Sequence, residues 1–127
     1  MDKVKFTKEY SMKSVPVALL WTYLSTSNGL EYWFADTVKQ VGKQFTFGWN
    51  GSEQVAQLVS VRTYSYIRFH WVDEQDRSYF ELRVEVSELT DSIDLLVTDY
   101  AYPDELDESK EVWDNQIEAL QRQLGCL

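Results

Sequence analysis

Cysteine is almost missing from this chain. The single thiol, Cys126, stands beside the C-terminus, so an internal disulfide framework is excluded. Histidine is equally scarce: His70 is alone, and one His with one Cys is too small a set for a conventional zinc site. Only an all-carboxylate site for a hard cation stays open. Glycine occurs five times, scattered, without a phosphate-cradling loop. Proline occurs twice, at Pro16 and Pro103, each near the start of a predicted helical region. Positive charge is also short: 12 Lys and Arg face 21 Asp and Glu, a formal net charge of −9. Such a chain repels phosphate backbones and anionic headgroups, which disfavours nucleic acid and membrane surfaces as partners. The longest apolar run, Val15 to Trp21, is too short for a bilayer, and Met1-Asp2-Lys3 opens no secretory leader. A cytoplasmic location is expected, with no membrane insertion.

What is abundant is the aromatic ring. Five Trp, eight Tyr and six Phe make 15% of the 127 residues, enough to exclude disorder and to crowd an interior. The length and the absence of a linker or repeat predict a single domain over 1–127.

Val4 to Met12 alternates and reads as a strand. Ser14 can cap a short helix from about Pro16, carrying Leu20, Trp21 and Leu24. Asn28, with Glu31 three residues on, reads as the capping box of a second short helix that ends near Ala35. From there to about residue 101 the period is two. Phe45, Phe47 and Trp49 share a face, and Asn50-Gly51 marks a hairpin. Val55, Gln57, Val59 and Val61 follow as an inward set, which leaves Leu58 outward. Ile67, Phe69 and Trp71 alternate with Tyr66, Arg68 and His70; Phe80, Leu82, Val84 and Val86 alternate with Glu81, Arg83 and Glu85. Ile93, Leu95, Val97 and Asp99 form the last inward set, with Leu96 outward. The period then becomes helical: Trp113, Ile117, Leu120, Leu124 and Leu127 make one stripe. Asp104 or Asp107 can cap this helix, and Gly125 suits its end. The fold class is therefore α+β: a curved antiparallel sheet of about six to seven strands wrapped around a long C-terminal helix, with two short helices after the first strand.

Local motifs agree with that order. Ser14-Val15-Pro16, Leu20-Trp21, Leu24-Ser25-Thr26, Gly29-Leu30 and Trp33-Phe34-Ala35-Asp36, with Phe69-His70-Trp71 later, resemble the helix-grip domains of the START-like (SRPBCC) superfamily. The branch they resemble is the one related to the activator of heat-shock chaperone ATPase, and within it the short uncharacterised bacterial proteins. The resemblance implies a hydrophobic cavity between helix and sheet, and a role among lipid and hormone carriers, cyclases and co-chaperones. Fold does not choose among these.

The residues offer little conventional chemistry. His70 points away from the core, and Cys126 is poorly placed for a nucleophile. Two inward polar residues stand out: Asp99, which must be paired, protonated or at a cavity rim, and Gln57. Set among rings they fit the pattern of an apolar ligand site with a few polar groups. The candidate ligand-binding set is Trp33, Phe47, Trp49, Gln57, Trp71, Phe80, Asp99 and Trp113. The first reading is a non-enzymatic binding domain for a small hydrophobic or amphipathic ligand, without cofactor or metal. The alternatives are a co-chaperone-like protein-interaction module, and an enzyme on a hydrophobic substrate with Asp99 as acid or base. Outward Leu58 and Leu96 leave monomer and homodimer both open.

Overall fold

Period-two stretches rich in β-branched and aromatic residues give seven strands, and the helical stretches give three helices around them. The computed structural model describes residues 2–127. The elements run β1 (Val4–Ser11), α1 (Val17–Ser25), α2 (Ser27–Glu31), β2 (Thr37–Val41), β3 (Gln44–Trp49), β4 (Ser52–Arg62), β5 (Tyr66–Trp71), β6 (Phe80–Val86), β7 (Ile93–Ala101), a 3-10 turn (Pro103–Glu105) and α3 (Leu106–Leu124). They form one antiparallel sheet in the order β1-β7-β6-β5-β4-β3-β2. β1 joins β7, so the N-terminal strand lies beside the last one, and the strands between follow as hairpins. The inner residues of the sheet pack against Trp113, Ile117 and Leu120 of α3 in one core. At 19 residues, α3 is roughly 28 Å long and spans the sheet.

Several local expectations need correcting. β2 was not anticipated: its only buried residue is Val38, too weak an alternation to read. In β4 the phase is reversed. Ala56 is buried and Gln54 and Leu58 half-buried, while Gln57 and Val59 face solvent. Ala56 and Leu58 pair with the inward Trp71 and Phe69, so Gln57 shares the outward side with its partner His70; a β-bulge between Leu58 and Ser60 then shifts the phase, and Val61 stands opposite Ile67. Leu58 is thus an inner residue. At the other end of the sheet, Val86 is exposed where β6 leaves the core.

The others concern caps. α1 begins after Pro16 without a side-chain cap, so Ser14 does not serve. Thr26, not Asn28, caps α2: its Oγ1 accepts from the Gly29 amide at 2.9 Å. Glu31 instead accepts from the Val38 amide at 2.8 Å and ties α2 to β2. Neither Asp104 nor Asp107 caps α3, because the 3-10 turn delivers the chain to it through Glu105. Gly125 does end α3, with φ of 70° in the left-handed region. At Gly29 the reason for glycine is space: an added Cβ would lie 2.1 Å from the Thr22 carbonyl oxygen, so α1 and α2 could not meet.

Candidate functional site

The place to look is between the sheet and α3, where the rings converge. They fill it. Phe34, just after α2, has its ring centre 4.9 Å from Phe47, 5.6 Å from Trp49, 5.4 Å from Phe80 and 5.7 Å from Trp113. Phe47 in turn meets Phe45, Phe69 and Trp71 at 5.7–6.0 Å. Distances of this kind, mostly edge-to-face or offset, are close packing. Phe45, Phe47, Phe69 and Phe80 are all essentially sealed from solvent.

Polar groups pin this cluster. Trp49 Nε1 and Gln116 Nε2 both donate to the Phe34 carbonyl at 2.9 Å, which fixes the segment after α2 to β3 and to α3. Trp33 Nε1 donates to the Tyr23 carbonyl at 2.8 Å, so Trp33 fastens α1 to α2 at one side of the cluster.

Open space remains at one end of the sheet. A cleft of about 200 Å³ is lined by Lys3, Gln54, Trp71, Asp99, Tyr102 and Ser109, among others. Asp99 is the polar centre of its floor. One carboxylate oxygen accepts from Trp113 Nε1 at 2.8 Å and the other from the Tyr100 amide at 2.7 Å. Burial pushes its carboxyl above the ordinary value, against the pull of these two donors and of Lys3. Of the sequence-derived set, Trp71 and Asp99 line the cleft; Trp113 reaches it through Asp99, and Phe47, Trp49 and Phe80 back Trp71 with their rings. Trp33 lies outside this cleft, in a wider and more open groove of about 590 Å³ with Phe34, Trp49 and Gln116, and Gln57 points to solvent on the side of β4 that pairs with His70. Gln54 takes the place expected of Gln57. Its phase with Ala56 and Leu58 was the signal, masked by the valines on the other side.

One wall of the cleft is the β5–β6 loop, and it is fastened at several points. Lys3 Nζ bridges Glu74 at 2.9 Å and Asp76 at 3.2 Å. Burial lowers the lysine, but these two carboxylates outweigh it and hold the ammonium above its usual range. His70 sits with Nδ1 2.6 Å from the Ser78 carbonyl and Nε2 3.0 Å from that of Glu74. Asp76 accepts from the hydroxyl and amide of Ser78, which, with Lys3, hold it down to about 2. His70 is thus a structural clasp for this loop. Among the described residues no cluster of His, Cys, Asp and Glu could hold a metal ion.

Comparison with known proteins gives the same architecture. The family model described as a START-like superfamily domain matches residues 1–126. A protein of Bacteroides fragilis solved by NMR is 41% identical, with 97% of this chain and 92% of that one covered and a TM-score of 0.70. The Aha1 dimer of Colwellia psychrerythraea is 14% identical over 95% of this chain and 96% of that one, at a TM-score of 0.79. An uncharacterized Bacillus thuringiensis protein reaches 0.80 at 11% identity, covering 95% and 98%. No curated protein matches. The seven-stranded sheet around a long helix is the helix-grip fold these structures share. No helix is long and apolar enough to cross a membrane among the described residues.

Proposed function

The chain belongs to the START-like superfamily, and from that premise we propose that it is a non-enzymatic binding domain whose ligand sits in the end cleft beside Asp99, not in a cavity along the helix. The observation that carries this reading is the contrast between a ring-filled interior and an open cleft with a buried carboxylate on an aromatic wall. Ligand sites usually offer ~300–1,000 Å³; at about 200 Å³ this one suits a molecule far smaller than a lipid. Asp99 uses one lone pair on each oxygen for Trp113 and Tyr100, which leaves acceptor capacity toward the cleft. Glu74 and Glu105 share the lining and Lys3 is already held by two carboxylates, so the cleft favours a cation. The fitting ligand is a small amphipathic amine, its apolar part against Trp71 and its ammonium on Asp99.

Acid–base catalysis by Asp99 is less well supported, since it would need a second group aimed at the reacting atom. The co-chaperone reading rests on the resemblance of the opening motifs and on the net charge of −9; the likeness to the Aha1 dimer, at 14% identity, concerns the fold alone.

The test is a titration of the labelled protein with phenethylamine and, in parallel, with laurate, followed by amide and indole NMR shifts. Saturable shifts at Trp71, Asp99 and Trp113 with the amine, lost in Asp99→Asn, support the reading. Laurate moving Phe34, Phe47 and Phe69 instead would place the ligand in the interior and overturn it, as would no shift with either probe.

A further inference from the structure

Beside its buried stripe of Trp113, Ile117 and Leu120, α3 carries a second one. Ser109, Val112, Gln116 and Ala119 follow at spacings of three, four and three, which puts them on one face. They line two depressions that meet at Val112. One, of about 360 Å³, adjoins Asp99 and Trp113. The other, of about 590 Å³, passes over Trp33, Phe34 and Trp49 to Tyr32. Together they form an open groove along the helix, roughly 15 Å from Ser109 to Ala119 at the ~1.5 Å rise of each residue.

The floor of this groove is apolar, and its polar groups are already spent. The Phe34 carbonyl accepts from both Trp49 Nε1 and Gln116 Nε2, which uses both of its lone pairs. Trp33 Nε1 is taken by the Tyr23 carbonyl. What the floor offers is ring and methyl surface. The α3 wall adds Val112, 50% exposed, and the α2 side adds Tyr32, 59% exposed and packed on Tyr23 with ring centres 5.6 Å apart. Single exposed apolar residues are ordinary. Here they border one continuous apolar floor, which marks an interaction surface.

The rim has one sign of charge. Glu31, Asp36, Glu105 and Glu108 line the groove, and no Lys, Arg or His does. None of these four carboxylates takes part in an ion pair among the described residues. From Ser14 to Val38, the stretch that supplies the α2 side, the chain has no basic residue. The nearby cations are engaged elsewhere. Lys110 lies over the Phe6 ring, Arg122 is bound to Glu118, and Lys39 reaches Glu53.

We propose that this groove docks a basic amphipathic helix of another protein. The helix lies beside α3 with apolar residues at i, i+3 or i+4, and i+7 on the floor. Its Lys and Arg side chains reach Glu31 and Asp36 by α2, and Glu105 and Glu108 at the start of α3. A helix suits the site because it satisfies its own backbone, whereas an extended segment would need partners that the floor does not offer. A second copy of the chain does not suit it: α3 buries its apolar stripe in the core, and the same acids would meet each other. The docking is independent of what occupies the end cleft.

The probe is a synthetic peptide of about 14 residues with Leu on one face and Lys on the other, and a twin with Glu in place of Lys. Each is titrated into labelled protein and followed by NMR and circular dichroism. The Lys peptide should turn helical and saturably shift the Trp33 and Trp49 indoles and the Gln116 side-chain amide. Its dissociation constant should rise at least about tenfold between low salt and about 0.5 M salt. The Glu peptide should shift nothing. Val112→Arg adds one positive charge inside the groove and should weaken binding at least about tenfold; Tyr32→Ala should weaken it several-fold. Glu9→Lys adds two positive charges on β1, outside the groove, and should change it less than about twofold. Circular dichroism of the free variants checks that each folds. A larger loss in Glu9→Lys than in Val112→Arg would mean unspecific attraction and overturn the proposal. So would absence of the indole shifts, equal binding of both peptides, or the same shifts on raising protein concentration alone, which would assign the groove to a second copy.

Discussion

Replacing Phe47 by alanine probes whether the interior is as full as the ring distances imply. Phe47 is fully buried on β3 and touches Phe34, Phe45, Trp49, Phe69 and Trp71 at ring-centre distances of 4.9–6.1 Å. Truncating a buried phenylalanine costs about 3–5 kcal/mol, from lost transfer free energy and from the cavity left behind. Five ring neighbours anchored by other contacts cannot collapse into the space, and each lost ring pair adds to the cost without adding linearly. We therefore expect about 4–5 kcal/mol. For a domain of this size stability is about 5–15 kcal/mol, so the variant should still fold. With a urea slope of about 2 kcal/mol per M, the midpoint should fall by roughly 2 M. The cavity should be dry and apolar, and the variant should bind benzene while wild type does not. A loss below about 1 kcal/mol, or benzene bound by wild type beside Phe47, would refute the filled interior and reopen the space along α3 for a ligand.

Asp99→Asn should change the pH dependence of stability. The native carboxyl lies above its ordinary value, so the native state binds the proton more tightly and stability falls as pH rises through the window above the unfolded value. The asparagine variant lacks this slope, and its melting temperature relative to wild type should climb between acidic and neutral pH. Asp76 runs the other way: held down to about 2, it supports the β5–β6 loop above its unfolded value and loses that effect as pH falls toward about 2. The protection factor of the Ser78 amide, its exchange relative to the intrinsic rate at each pH, should fall over that range in wild type, and should already be low at neutral pH in Asp76→Asn. Gly29→Ala should cost about 2 kcal/mol or more in urea unfolding, since its Cβ meets backbone that cannot yield. Gly125→Ala, strained only by its positive φ and with open space around it, should cost about 1 kcal/mol.

Legibility followed the strength of the local signal. β5, β6 and β7 alternate strongly, and their inner residues are those read from the sequence, apart from Val86 where β6 frays out of the core. The stripe of α3 likewise emerges buried at Trp113, Ile117 and Leu120. β2 was invisible because one buried valine makes no pattern. Gln57 was misplaced because valines occupy the solvent side of β4 while alanine and glutamine occupy much of the inner side, and a bulge shifts the phase partway along. Asp99 was legible as an inward acid at a strand end. Its bonds to Trp113 and to the Tyr100 amide were not, because the first depends on how far along the strand α3 crosses.

Chain order and periodicity alone therefore determined the α+β class, the long terminal helix, the curl of the sheet and the wealth of rings in the core. These follow from repeat distances of two and 3.6 residues, which are local properties of the backbone. Whether the rings left a cavity was decided only in three dimensions. Packing depends on which ring fills which gap, and Phe34, Phe47, Phe80 and Trp113 come from four separate parts of the chain to close the same space. The cleft beside Asp99 is likewise a product of register, since no local period says which side chain of one strand will stand opposite which of the next.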